Sequence, residues 1–75
     1  MEQYRNLGGN SGITAYEIGS DFIKVMFKDG SLYFYNYEST GQQDVETMKE
    51  LATGGAGLNS FISSKVRKRY AAKLR

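Results

Sequence analysis

A chain of 75 residues that is 40% hydrophobic, with six tyrosines and four phenylalanines, reads as one small folded domain rather than a disordered segment. It contains neither cysteine nor histidine, which excludes disulfide staples and the usual zinc ligands and removes the commonest nucleophile and the commonest general base, so an enzyme is not expected. The net charge of +2 hides an asymmetry: residues 1–60 hold four cations against eight acids, net −4, whereas residues 61–75 hold six cations and no acid, net +6.

Residues 1–12, MEQYRNLGGNSG, carry three glycines and no sustained periodicity, and they read as a flexible leader. They hold no apolar run of signal-peptide length, and no stretch approaches the ~20 apolar residues of a membrane span. A soluble protein is expected, and the lack of disulfides fits a reducing, cytoplasmic location. Residues 13–75 then form the domain. Ile13 to Ile18 and Phe22 to Lys28 alternate as strands, with a turn at Gly19-Ser20-Asp21, and Asp29-Gly30 leads by a tight turn into a third strand, SLYFYNY. After Tyr37 the period changes. Ser39 and Thr40 stand before Gln42 and Gln43 as a helix start, and Val45, Met48, Leu51 and Ala52 form one stripe until Gly54-Gly55-Ala56-Gly57 stops it. Asn59 is a cap for a second helix whose buried stripe is Leu58, Phe61, Ile62, Val66 and Tyr70. The order predicts an α+β fold: a three-stranded antiparallel meander followed by two α-helices packed on one face.

The third strand carries Tyr33, Tyr35 and Tyr37 on alternate positions, and the hairpin register decides which way they face. A two-residue Asp29-Gly30 loop pairs Phe27 with Leu32 and puts the tyrosines on the open face beside Phe22, Lys24 and Met26, as a stacking platform for unpaired bases. A three-residue Lys28-Asp29-Gly30 loop, with Gly30 left-handed, pairs Phe27 with Ser31 and turns the tyrosines to the core. Apolar burial at about 25 cal/mol per Å2 favours the second, because so small a domain needs its rings inside.

The run SGITAYEIGSDFIKVMFKDGSLYFYNY, followed by ATGGAGLNSFI, resembles the KTSC domain, a short bacterial domain found at the C-terminus of some lysyl-tRNA synthetases and as a free-standing protein. The resemblance rests on Ser11, Ile13, Ile23, Val25, Phe27, Gly30, Tyr33 and Tyr35, and then on Thr53, Gly55, Leu58, Asn59 and Ile62. Where the family commonly continues Tyr-x-Tyr with Val-Pro, this chain has Tyr37-Glu38, and the similarity loosens after Ile62. The resemblance implies no established activity; its association with a synthetase suggests RNA.

Two motifs invite chemistry and have plainer explanations. Glu46 and Glu50 stand one helical turn apart but away from the apolar stripe, which makes them a solvated face rather than an acid/base pair. The glycine run before a helix lacks the Lys-Ser/Thr of a phosphate loop and reads as an inter-helix turn, with at most a weak anion site at Asn59 and Ser60. The basic stretch SSKVRKRYAAKLR is different, because six cations without an acid exceed what a helix dipole asks for. Lys65, Arg67, Lys68, Arg69, Lys73 and Arg75 are therefore candidate phosphate ligands on a basic C-terminal helix, with Tyr33, Tyr35 and Tyr37 as candidate stacking residues. The expected function is a monomeric, cofactor-free binding module for RNA or another nucleic acid; the alternative is an adaptor for an acidic protein surface. Attachment to anionic lipid is the weakest reading, since Leu74 and Tyr70 offer too small an apolar face.

Overall fold

The β-branched and aromatic runs pair as an antiparallel meander in the computed structural model, which describes residues 1–9 and 11–75. Strands β2 (Ile13–Ile18), β3 (Phe22–Phe27) and β4 (Leu32–Asn36) form its centre, and the two-residue strands β1 (Glu2–Gln3) and β5 (Ala72–Lys73) close its edges. The described residues thus make a five-stranded antiparallel sheet in the order β1-β2-β3-β4-β5. Between Ile13 and Ala15 the register shifts, so Thr14 is an extra residue and its hydroxyl donates to the Met26 carbonyl at 3.3 Å. That bulge lets Ile13 and Tyr16, three positions apart, both enter the same buried face.

Four-residue α1 (Tyr37–Thr40) begins at Asn36, whose Oδ1 accepts from the Ser39 N–H at 2.9 Å. Gly41, at φ +100°, breaks the helical path, and α2 (Gln42–Gly54) follows. Ser39 and Thr40 therefore lie inside a separate helical turn rather than capping α2. The predicted stripe holds: Val45, Met48 and Ala52 are buried, and Gly55 caps α2 in the left-handed conformation, donating its N–H to the carbonyls of Leu51 and Ala52. Gly57, also left-handed, opens α3 (Leu58–Phe61), so Asn59 sits within the helix and not at its cap. The helix then widens into a π-helical segment, Ile62–Val66. Ile23, Val25 and Tyr35 from the sheet meet Val45, Met48, Leu58, Ile62 and Val66 from the helices in one core. Each such side chain contributes about 1.5–3 kcal/mol by leaving water.

Two further sequence expectations change. Residues 1–12 are not wholly a flexible leader, because Glu2 and Gln3 pair with Tyr16 and Ala15 and Tyr4 is only 3% exposed. Tyr4 Oη accepts the Leu58 N–H at 3.3 Å, the Leu7 N–H reaches the Gly55 carbonyl at 2.7 Å, and Arg5 Nη2 donates to the Thr53 carbonyl at 2.6 Å. The segment carries no apolar period because backbone and polar groups are what tie it to the end of α2. The second correction is that the basic C-terminal helix ends at Val66, and residues 67–75 turn back to pair with β4.

Candidate nucleic-acid interface

The hairpin loop is the three-residue one. The Phe27 N–H donates to the Ser31 carbonyl at 2.9 Å, Gly30 has φ +89°, and Ile23, Val25 and Met26 stand opposite Tyr35, Tyr33 and Leu32. Asp29 Oδ1 holds the turn by accepting from the Ser31 hydroxyl at 2.6 Å and the Ser31 N–H at 2.9 Å. Those two bonds, aided by the nearby Lys73 charge, keep the Asp29 carboxyl below its ordinary value.

This register turns Tyr33 and Tyr35 toward the helices. Tyr35 is 1% exposed and belongs to the core, which removes it from any solvent-facing platform. Burial, with Tyr33 and Tyr70 alongside, raises its hydroxyl far above the usual tyrosine value and keeps it a neutral phenol. Tyr33 is half-buried, with its ring edge-on to Tyr70 at 4.8 Å between centroids and to Phe27 at 5.6 Å. Tyr37 is elsewhere, at the start of α1, where its hydroxyl donates to Glu46 Oε2 at 2.5 Å and lies 3.1 Å from the Ser20 carbonyl oxygen. The hydrogen bond to Glu46 raises the Tyr37 hydroxyl. Glu46 also pairs with Lys49 at 2.7 Å, and Lys49 first, Tyr37 second, lower its carboxyl. Glu46 is thus committed to a structural network, while Glu50 is exposed.

The fate of the basic stretch follows from the π-helical end. The Arg67 N–H bonds five residues back to the Ile62 carbonyl at 2.5 Å, and Arg67 itself sits at φ 53°, ψ −118°. With the Arg69 N–H on the Val66 carbonyl at 3.1 Å, Arg67 occupies the first central position of a type II′ turn, a place that favours glycine. The chain therefore reverses over Arg67 and Lys68. The Ala71 N–H then joins the Phe34 carbonyl at 2.7 Å, and the Leu74 N–H joins the Leu32 carbonyl at 2.7 Å.

The reversal divides the six cations. Arg69 folds inward: Nη1 donates to the Thr40 carbonyl at 2.6 Å, Nη2 meets Asp44 Oδ2 and reaches the Lys65 carbonyl at 3.2 Å, and the buried Thr40 hydroxyl donates to the Arg69 carbonyl at 2.7 Å. It acts as a latch, its donors taken up by the fold. Arg67 and Lys68 instead border a cleft of about 340 Å3 with Phe27, Asp29, Ser31, Tyr33, Tyr35, Ile62 and Tyr70. Lys73, opposite Tyr33 in the sheet, carries its Nζ 5.7 Å from that ring. Arg75 is exposed beyond the end of β5 and Lys65 is exposed on the π-helical segment, and neither contributes a side chain to the cleft. Among the described residues, no carboxylate forms a salt bridge with Lys65, Arg67, Lys68, Lys73 or Arg75.

The structure thus gathers Arg67, Lys68, Lys73 and Tyr33, and adds Phe27 and Tyr70. Tyr70 falls at helical spacing in the sequence, and only a turn at Arg67, a residue with no turn signature, carries it to the cleft. Among the described residues no group of three or more acidic, histidine or cysteine side chains is placed to hold a metal, and no helix is long and apolar enough to cross a membrane. No family model, curated protein or solved structure matches this chain.

Proposed function

We propose that this KTSC-like chain is a non-enzymatic module that binds single-stranded RNA, or another single-stranded nucleic acid, at the cleft between the β3–β4 hairpin and the Arg67-Lys68 turn. The reading is carried by one observation: Arg67, Lys68 and Lys73, unpaired by the molecule's own carboxylates among the described residues, surround an opening walled by Tyr33, Tyr70 and Phe27. A base stacks on the ring edges and faces while the cations meet the flanking phosphates, which is the division of labour single-strand binders use. An unpaired strand fits better than a duplex, because the apolar walls need a splayed base to cover them.

The test is titration of a short unstructured RNA into the protein, followed by amide spectra and by anisotropy at several salt concentrations. Engagement of about three phosphates gives a slope of log affinity against log salt near −2, at roughly −0.7 per phosphate. Shifts should centre on Tyr33, Arg67, Lys68 and Tyr70. The reading fails if neither RNA nor single-stranded DNA moves those amides at low ionic strength.

A further inference from the structure

The helices pack on one side of the sheet, through Ile23, Val25 and Tyr35, and the other side is left without a helix. The register places Met26, Leu32 and Leu74 in a row on that open side, with Phe34 in the next row and Phe22 in the one after. Leu32 is 8% exposed and lies outside the main core cluster, and Leu74 is 48% exposed. Phe22 and Phe34 pack together at 5.2 Å between centroids. An apolar sheet face of this kind, on so small a domain, marks an interaction surface.

We propose that the face is covered by a second copy of this chain in a two-fold dimer. Charge selects that occupant. The register puts two charged side chains on the face, Glu17 and Lys24, directly opposite one another on β2 and β3 and 3.7 Å apart. Together they are neutral, and each keeps partial solvent access, with side-chain exposures of 46% and 30%. Under a two-fold rotation Glu17 of one copy meets Lys24 of the other, and the reverse, so the patch is complementary to itself. A nucleic acid would find one cation already offset by an acid, and a strongly acidic or basic partner would leave one of the pair facing like charge.

The sheet edges direct association to the face. With two residues each, β1 and β5 offer too short an edge for strand addition. Strands of 2, 6, 6, 5 and 2 residues, at about 4.8 Å spacing and about 3.3 Å rise, give a footprint of roughly 300–350 Å2 per copy, well below the about 800 Å2 per partner of a standard stable interface. The dimer is therefore weak and concentration-dependent. This proposal is independent of the RNA reading, since the cleft lies on the helix side of the sheet.

Sedimentation velocity from about 5 μM to 1 mM tests it. The wild-type chain should move from monomer to dimer across that range. Glu17→Lys alone and Lys24→Glu alone should each stay monomeric where the wild type is dimeric, because each brings like charges together, and an equimolar mixture of the two variants should restore the dimer. Leu74→Glu, at an exposed position, should also abolish it; thermal unfolding of each variant confirms that it is folded. A wild type that remains monomeric at 1 mM overturns the proposal. So does a dimer that persists in both charge variants.

Discussion

Arg67 and Arg69 stand two residues apart in the same basic run and are used in opposite ways. Arg69 spends its donors on the Thr40 carbonyl, Asp44 and the Lys65 carbonyl, and it pins the C-terminal segment to the α1–α2 junction. Arg67 makes no salt bridge among the described residues, occupies a backbone conformation that disfavours a side chain, and borders the aromatic cleft. The difference teaches that a cationic run is not one site: backbone geometry decides which charges are consumed by the fold and which face solvent. Strain at a position lining a cleft is a common mark of a residue kept for binding rather than for stability.

The largest test of that contrast is removal of the latch. Arg69→Ala strands the Thr40 carbonyl and loosens the return of the chain to β4. The ion pair with Asp44 is half in solvent and adds little, whereas the bonds to carbonyl groups carry most of the effect, about 2 kcal/mol in all. Thermal unfolding should drop by roughly 10 °C, and RNA affinity of the folded fraction should stay within about twofold, a difference near 0.4 kcal/mol. A variant that keeps its stability but no longer binds RNA would reverse the roles assigned to the two arginines.

Next in size is Arg67→Gly. Glycine at positive φ relieves roughly 1–2 kcal/mol of steric strain and returns part of it as chain entropy, for a net gain of about 0.5–1 kcal/mol. The same change should weaken RNA binding about tenfold, because one charge-assisted bond to phosphate is removed. Stability and affinity thus move in opposite directions in one variant, which denaturant unfolding and anisotropy read separately. If stability falls instead, the Arg67 side chain belongs to the fold and the contrast is void.

How much of this is legible in the chain alone follows from the same residues. The period-2 and period-3.6 stripes of Ile23, Val25, Val45, Met48 and Ala52 report burial directly, so the α+β pairing of an antiparallel sheet with helices can be read from them. The hairpin register is legible as two alternatives, and the need to bury rings selects the one observed. The edge strands are not legible, because two residues cannot display a period and their pairing depends on distant partners. The end of the second helix is hidden for another reason. Arg67 carries no turn signature, and Tyr70 falls at helical spacing from Val66 although it reaches the cleft by a chain reversal. Of the cleft, its cations and Tyr33 are in view, whereas Phe27 and Tyr70 require the fold.

Lys68→Ala is smaller and cleaner. Lys68 is exposed at the tip of the turn and makes no salt bridge among the described residues. Stability should change by less than about 0.5 kcal/mol. RNA affinity should fall a few-fold at low salt, and the salt slope should flatten by about 0.7, as expected when a single phosphate goes unneutralised. An unchanged slope would place the strand away from the turn.

The smallest effect concerns the acid at the mouth of the cleft. Asp29 has a depressed carboxyl, chiefly through its two bonds from Ser31, and it stands where a phosphate would approach Lys68 and Lys73. A group lowered in the folded state stabilises the fold above its unfolded value, near 4, and that contribution is lost as pH falls through the lower folded value. Acidification should therefore loosen the hairpin turn while removing a negative charge from the RNA path, so stability declines as intrinsic affinity rises. Asp29→Asn imposes both effects at neutral pH, because the amide oxygen still accepts from Ser31 but carries no charge. It should tighten RNA binding by about twofold, in keeping with one screened surface charge, and lower the unfolding midpoint slightly, as the bonds from Ser31 lose their charge assistance. Its affinity should no longer rise on acidification, whereas the wild-type affinity should. A wild-type profile that falls with acid would mean that the strand does not pass Asp29, and that the turn cations act on some other path.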